Sequence, residues 1–510
     1  MKCLLINSNR FKHPWPVIPF GLCCVATSVE QAGHQVQVLD LCFTSKPQAA
    51  IEQAVHRFLP DVVGISVRNI DNAVGYNTQF LLESTKMEVI EPCKKAFDGP
   101  ILLGGPALGI NGKEILEFFD VPFAVAGDGE EAVVSFLRCL QNGCSPDNTP
   151  GLIIKKEDGR IVANPPARQA NLDALPLVDP SRYLDLSLYV RYNSPLQIQT
   201  KRGCALHCVY CTYNRLEGPR YRLKSPNKVA DEIATLVART GIRTVEFTDS
   251  TFNIPLTHAK DVLRALIAKG LTLHLRTMGL NPGAVDEELV ALMQEAGFTE
   301  VDVGAESGSD RMLRALGKNF TKKDIFRTAR LLRQARIPAT WYLLLGAPGE
   351  TLETLQETFD TMDHAVSGWD LINVGVGLRL YNGAPITEEI RKDCPHLAEL
   401  TKNFLFPAQL PVSRTLDIHT LKDVIKRQAL TKPNYFMYDE DERTPLVVLR
   451  SAAAMVRIFF PGQPLWRAFV LLRKIQKLTG YAALRRVLYE RDTRSRAQWL
   501  SGESFMAKDR

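Results

Sequence analysis

The sequence predicts an α/β protein: an N-terminal doubly wound, Rossmann-like unit, then a partial (βα)6 barrel and a helical C-terminal region. Three observations lead there. Short apolar runs alternate with longer helical segments over residues 1–140, the pattern of parallel strands joined by crossover helices. Strand and helix alternate again, at barrel spacing, from residue 196 to about 385. Between them, Pro146, Pro150, Pro165, Pro166, Pro176 and Pro180 punctuate a stretch that reads as a linker. The expected units are therefore 1–140, 141–195, 196–385 and 386–510.

Lys2–Ile6 reads as the first strand. A helix opens at Pro19-Phe-Gly-Leu22 and runs to about Gln31, with Gly33 as its stop. Val36–Leu41 is the second strand, Pro47–Phe58 a helix, and Asp61-Val-Val-Gly-Ile-Ser-Val67 a buried third strand. A helix near Tyr76–Phe97 leads to the strand Pro100-Ile-Leu-Leu-Gly-Gly105. Ligands of such sheets sit outside the carboxyl ends of the strands. The loops there are Asn7–Arg10, Ser66-Val-Arg-Asn69, Gly104-Gly-Pro106 and Gly127-Asp-Gly-Glu130. Their glycines let a backbone approach a large ligand closely. The first strand lacks G-x-G-x-x-G, which argues against a dinucleotide. In the linker, Gly151–Val162 suits a hairpin turning at Asp158-Gly159.

The second unit has expected strands at Leu196–Lys201, Thr244–Thr248, Thr272–Thr277, Glu300–Gly304, Ala339–Leu345 and Leu371–Val376. Helices are expected near Pro226–Thr240, Leu256–Lys269, Val285–Glu295, Lys322–Gln334 and Leu352–Val366. The tail reads as mostly helical, with Val447–Phe459 and Leu465–Leu478 mixing apolar residues with Arg and Lys. Pro461 and Pro464 interrupt that run and favour a cap over the barrel mouth, with a membrane-surface role as the alternative. Tyr381, Tyr435 and Tyr438 are substrate-side candidates or ordinary packing.

Composition narrows the class. The chain has 510 residues, 45% of them hydrophobic, with no apolar run long enough to span a bilayer. The apolar stretch at the N-terminus is too short for a secretory signal. Eleven dispersed cysteines do not form a disulfide framework, which points to a reducing cytoplasm. Residues 441–510 carry 14 Lys and Arg against six Asp and Glu, so the net charge of +6 is concentrated in the tail. That surplus suits a solvated helix face or an anionic surface. No nucleic-acid partner is expected, and membrane-surface contact is not favoured.

The most specific signal is Lys201-Arg-Gly-Cys-Ala-Leu-His-Cys-Val-Tyr-Cys211, directly after an apolar–polar run. Three thiolates at C-x3-C-x2-C spacing on one short loop can hold three irons of an iron–sulfur cube and leave the fourth open. An open metal position serves chemistry rather than structure. Three buried structural cysteines, or a zinc site short of one ligand, are the competing readings.

This loop resembles that of the radical S-adenosylmethionine superfamily. Pro19-Phe-Gly-Leu22, Gly33-His-Gln-Val36, Pro60-Asp-Val-Val-Gly-Ile-Ser66, Gly104-Gly105 and Gly127-Asp-Gly-Glu130 together resemble the cobalamin-binding domain found upstream of it. The joint resemblance is to the methyltransferase type. It implies a [4Fe-4S] cluster on Cys204, Cys208 and Cys211, S-adenosylmethionine and cobalamin. It places Tyr210 beside the adenine, and Glu306 and Ser307 on S-adenosylmethionine. Arg276, Asp249 and Glu350 are further candidates, the acids being equally readable as helix caps. Ser66, Arg68, Asn69, Gly104, Gly105, Gly127 and Glu130 are implied around cobalamin.

The implied activity is methylation of an unactivated carbon through methylcobalamin and a 5′-deoxyadenosyl radical. Its partners are a small-molecule or natural-product substrate and an external electron donor of the flavodoxin or ferredoxin type. The same cofactors in a cyclase or rearrangement enzyme, or a non-catalytic cobalamin sensor, are the alternatives. One departure matters: no Asp-x-His-x-x-Gly supplies a histidine ligand to cobalt, and His13, His34 and His56 lack that context. A base-off cobalamin is expected, with Arg68 at its lower face.

Overall fold

The computed structural model describes residues 1–12, 15–72, 78–393, 398–402, 404–411, 413, 415–437, 464 and 466–478. His13, Tyr438 and the expected helix Val447–Phe459 lie outside them. Two seven-stranded sheets organise the chain. The first contains β1 (Lys2–Asn7), β2 (Gln35–Asp40), β3 (Val62–Ser66), β4 (Ile101–Gly104), β5 (Phe123–Val125), β6 (Leu152–Lys155) and β7 (Ile161–Ala163), in the order β2-β1-β3-β4-β5-β6-β7. β1 to β5 are parallel, and β6 and β7 add antiparallel to β5. The helices Phe20–Gln31 and Gly129–Gln141 pack on one face, and Pro47–Phe58 and Pro106–Phe119 on the other.

Two features of this unit differ from expectation. The hairpin in the expected linker is the edge of the first sheet, because Leu152, Ile153 and Ile154 bury their side chains against it. The expected helix at 76–97 begins at Leu82 and passes through a wide turn at Lys86–Ile90 before its last segment, Glu91–Ala96. Pro92 explains this, since its ring cannot donate to or fit against the preceding turn.

The second sheet uses β8 (Leu196–Ile198), β11 (Thr244–Phe247), β12 (His274–Leu280), β13 (Phe298–Glu306), β14 (Ala339–Leu345), β15 (Leu371–Val376) and β18 (Tyr435–Phe436). Between them lie the short antiparallel pairs β9 (Lys201–Arg202) with β10 (Arg222–Leu223), and β16 (Leu378–Arg379) with β17 (Gln409–Leu410). All neighbours in the order β18-β15-β14-β13-β12-β11-β8 are parallel, so the six expected strands form an open barrel extended by β18. The C-terminal region is therefore not purely helical: Tyr435 is fully buried, and its hydroxyl donates to Asp363 at 2.9 Å. The helix Arg467–Leu478 follows.

The two units share one packed core, since Ile18, Cys23 and Cys24 of the first unit join the barrel's apolar cluster. Polar struts cross the same boundary. Arg202 holds Glu130 through two bonds of 2.6 and 3.2 Å, Arg222 pairs with Asp128, and Tyr189 donates to Asp40 at 2.8 Å. At the carboxyl ends of both sheets, Arg379 after β15 pairs with Asp71 after β3 at 3.4 Å. The strand-end loops of the two sheets thus meet.

Candidate active site

The cysteine loop follows β9. Gly203, with φ of +95°, lets it leave the strand, and a Cβ there would collide with the Arg220 carbonyl. Cys204 N–H donates to Gly218 at 3.0 Å, and Val209 N–H donates to Leu316 at 3.2 Å. Gly317 backs the loop so closely that a Cβ would stand 2.5 Å from the His207 carbonyl. The loop is therefore held from two sides before any ligand arrives. Burial raises the Cys208 thiol and pushes Cys211 up to about 11. Thiols in that state need a metal to become thiolates. Among the described residues, no three His, Cys, Asp or Glu side chains are placed to hold a single metal ion. Three soft donors on one loop fit three corners of a cluster.

A second cluster of side chains meets the loop. Glu306, the last residue of β13, has φ of +62°, unusual for a residue with a side chain. Tyr210 donates to its Oε1 at 2.8 Å, and Lys318 donates to the same atom at 3.1 Å and to Cys208 Sγ at 3.7 Å. Burial alone would depress the Lys318 ammonium, but Glu306 and Cys208 outweigh it and raise its pKa. The structure thus brings Tyr210 and Glu306 to the cysteines, together with Lys318. Ser307, although adjacent, turns its hydroxyl to Thr358 at 2.8 Å.

Asp249 is buried and binds Lys201 at 2.9 Å and Thr200 at 2.7 Å, which fixes the strand entering the cysteine loop. Glu350 is buried and accepts from Gly346 N–H; burial pushes its carboxyl up to about 7.

On the other unit, Ser66, Arg68, Asn69, Gly104 and Gly105 gather at the ends of β3 and β4. Gly105, at φ of +99°, passes so close to Val67 that a Cβ would stand 2.5 Å from its carbonyl oxygen, while Gly104 faces open space. A large planar ligand fits against that unfilled edge. Arg68 is exposed at this edge, and Tyr213 and Glu246 of the barrel are among its electrostatic neighbours. Of the described histidines here, His34 lies at the opposite end of β1, beside the N-terminus, and His56 lies within a helix. Gly127 and Glu130 stand apart from this group. Gly127 crosses the linker at Ala167, and Glu130 is engaged by Arg202.

The barrel lumen was the least legible part. From Val301 onward β13 alternates strictly, so Val303 and Ala305 face the helices while Asp302, Gly304 and Glu306 face inward. Arg276 joins them: its Nε lies 2.8 Å from Glu246 and its Nη1 2.9 Å from Glu300, and its guanidinium stacks 4.2 Å from the Trp15 ring centre. Trp466 donates to Glu300 at 2.9 Å. The sequence signal for this lining was the i, i+2 spacing of acids in Glu300, Asp302 and Glu306.

Known proteins place the two halves. Residues 198–362 match the Radical SAM superfamily model, and residues 12–137 match the B12 binding domain model. Tryptophan 2-C-methyltransferase of Streptomyces laurentii is 26% identical over 456 residues, covering 76% of this chain and 74% of that protein. Cytidylyl-2-hydroxyethylphosphonate methyltransferase of Streptomyces wedmorensis is 25% identical over 427 residues, covering 71% and 77%. The radical S-adenosylmethionine methyltransferase TsrM of Kitasatospora setae, solved with tryptophan and a S-adenosylmethionine analogue, superposes with a TM-score of 0.71 at 28% identity over 77% of this chain and 76% of that one. Its structure with cobalamin and a [4Fe-4S] cluster gives 0.79 at 23% identity over 94% and 99%. The cofactors seen in those structures correspond to the two matched models, a radical SAM domain and a B12 binding domain. With the cysteine loop, the open strand ends and these matches in agreement, the chain joins a B12 binding domain to a radical SAM domain and is similar to the cobalamin-binding radical S-adenosylmethionine methyltransferases.

Proposed function

We propose that the chain transfers a methyl group from S-adenosylmethionine to an unactivated carbon of a small organic molecule held in the barrel lumen. The observation that carries this is the meeting of two loop sets: Arg68 and the open edge at Gly104 on one side, Cys204, Cys208, Cys211 and Glu306 on the other. When bound, the cluster supplies an electron for S-adenosylmethionine cleavage, and cobalamin carries the methyl group.

The residues supply position and exclusion of water. Cys204, Cys208 and Cys211 hold the cluster and leave one iron free. Glu306, oriented by Tyr210 and Lys318, accepts hydrogen bonds from the amino or ribose groups of S-adenosylmethionine. Ser66, Asn69, Gly104 and Gly105 cradle cobalamin. Arg68 would lie against bound cobalamin; a guanidinium remains protonated and would not serve as a metal ligand. The electron comes from an external flavodoxin- or ferredoxin-type carrier.

The test uses anaerobically reconstituted enzyme, cobalamin, a strong reductant and S-adenosylmethionine with a deuterated methyl group. Formation of S-adenosylhomocysteine together with 5′-deoxyadenosine, both lost without cobalamin or in Cys208→Ala, is expected. Formation of 5′-deoxyadenosine alone would replace methyl transfer by cyclisation or rearrangement.

A further inference from the structure

The barrel lumen holds charge that the cofactor reading does not use. Arg276 is committed to Glu246 and Glu300, and Lys318 to Glu306. Glu246, almost fully buried, is held by Arg276 at 2.8 Å. Asp302 forms no ion pair with any described residue, although the Arg276 charge acts on it from farther off, and the Tyr342 hydroxyl lies a long 3.5 Å away. Three lumen carboxylates therefore face one guanidinium below the level of Glu306.

The space around Asp302 is shaped for an occupant. Tyr342 and Met278 are 38% and 58% exposed although both sit on barrel strands. Tyr342 lies between the buried Trp341 and Leu343, so its exposure is to the lumen; Met278 follows the buried Thr277 on the same side of β12 as Arg276. Gly304 adds nothing between Asp302 and Glu306; a Cβ there would meet only the Glu306 carboxylate, at 3.2 Å. Asp302 and Glu306 lie on the same inner face of β13, two alternations apart, with the register shifting between Gly304 and Glu306. Arg276, Trp15, Glu300 and Trp466 close the floor.

We propose that Asp302, walled by Tyr342 and Met278, is the specificity-determining residue of the substrate chamber, and that it selects substrates carrying a cationic nitrogen. This rests on the methyltransferase reading above. An ammonium or amidinium would complete the missing ion pair, with an aromatic face beside it. Its carbon skeleton would then extend past Gly304 toward the cysteine loop. S-adenosylmethionine is itself cationic, so the acid could instead serve its sulfonium; placement two rungs below Glu306 favours the substrate.

The test measures binding to the cofactor-loaded, full-length enzyme by calorimetry with matched probes: tryptamine against indole-3-propionate, and benzylamine against benzoate. At least one amine is expected to bind about tenfold tighter than its carboxylate partner, as a buried charge-assisted contact allows. Asp302→Asn should remove that preference, Asp302→Glu should restore part of it, and the affinity for S-adenosylmethionine should stay within about twofold. No amine preference in the unaltered enzyme, absence of binding included, overturns the proposal. So does a preference that survives Asp302→Asn, or a variant that loses S-adenosylmethionine instead. Cluster content and S-adenosylmethionine cleavage in the same samples report separately on the methyltransferase reading.

Discussion

The two parallel sheets of this protein are built from different kinds of strand. In the first, β3 reads Val62-Val-Gly-Ile-Ser66 and is buried until its final residue, because helices cover both faces. In the barrel, β12 and β13 alternate, with one face in the apolar core and the other, carrying Arg276, Asp302 and Glu306, in the lumen. A sheet covered on both sides can offer a ligand only its strand ends. A curved, open barrel offers its ends and also its interior. On the proposed function, cobalamin would take such an edge, and the cluster a rim with the lumen beneath it.

The comparison can be broken most severely at the rim. Cys208→Ala should abolish cluster loading and methyl transfer, exceeding the roughly 10–100-fold loss typical of residues behind a metal ligand. Iron and sulfide content, with the cluster's visible absorption, would check this; retained cluster and activity would remove the loop from the mechanism.

The joint between the sheets comes next. Arg202→Ala leaves Glu130 buried and unpaired, with side chains that are only 12% and 7% exposed in the intact pair. The expected loss is about 3–5 kcal/mol of stability. Chemical denaturation would measure it, and an unchanged midpoint would mean that the units are held together by apolar packing alone.

At the edge of the first sheet, Gly105→Ala meets both a positive φ and the Val67 carbonyl. A cost of about 1–3 kcal/mol and weaker cobalamin retention are expected, with the cluster intact. Equal loss of both cofactors would contradict the division between edge and rim.

The smallest effect is a pH dependence. Glu350 has a carboxyl raised from 4.5 to about 7 by burial. A raised carboxyl binds its proton more tightly folded than unfolded. Its contribution is complete below pH 4.5 and declines as the pH rises toward 7. Glu350→Gln should therefore flatten the fall in stability across that window, as thermal unfolding at several pH values would show. An unchanged slope would place the charge of Glu350 outside the folding equilibrium.

Much of the site was legible because its information is local. Cys204, Cys208 and Cys211 are close in the chain, and a loop of that spacing can bring three thiols together with little help. The alternation of short apolar strands with helices was enough to predict a parallel sheet in each half, but β5, the β6–β7 edge, β18 and the order of the strands came only with the structure. Histidine could likewise be excluded from the familiar cobalt-ligand motif by reading alone.

What tertiary structure decided is what depends on partners far away in the chain. Glu130 looked like a ligand contact in sequence and is engaged by Arg202, 72 residues on. Ser307 and Glu306 are neighbours, yet strand direction turns one to Thr358 and the other to Tyr210. The hairpin β6–β7 was assigned to a linker because its three apolar residues say nothing about which sheet edge they join. The lumen acids came together only when four strands placed Glu246, Arg276, Asp302 and Tyr342 on one inner surface. Local spacing determines which chemistry the chain can hold. The curvature and closure of the sheet determine what that chemistry faces, because inward-pointing side chains from different strands meet only once the barrel has formed.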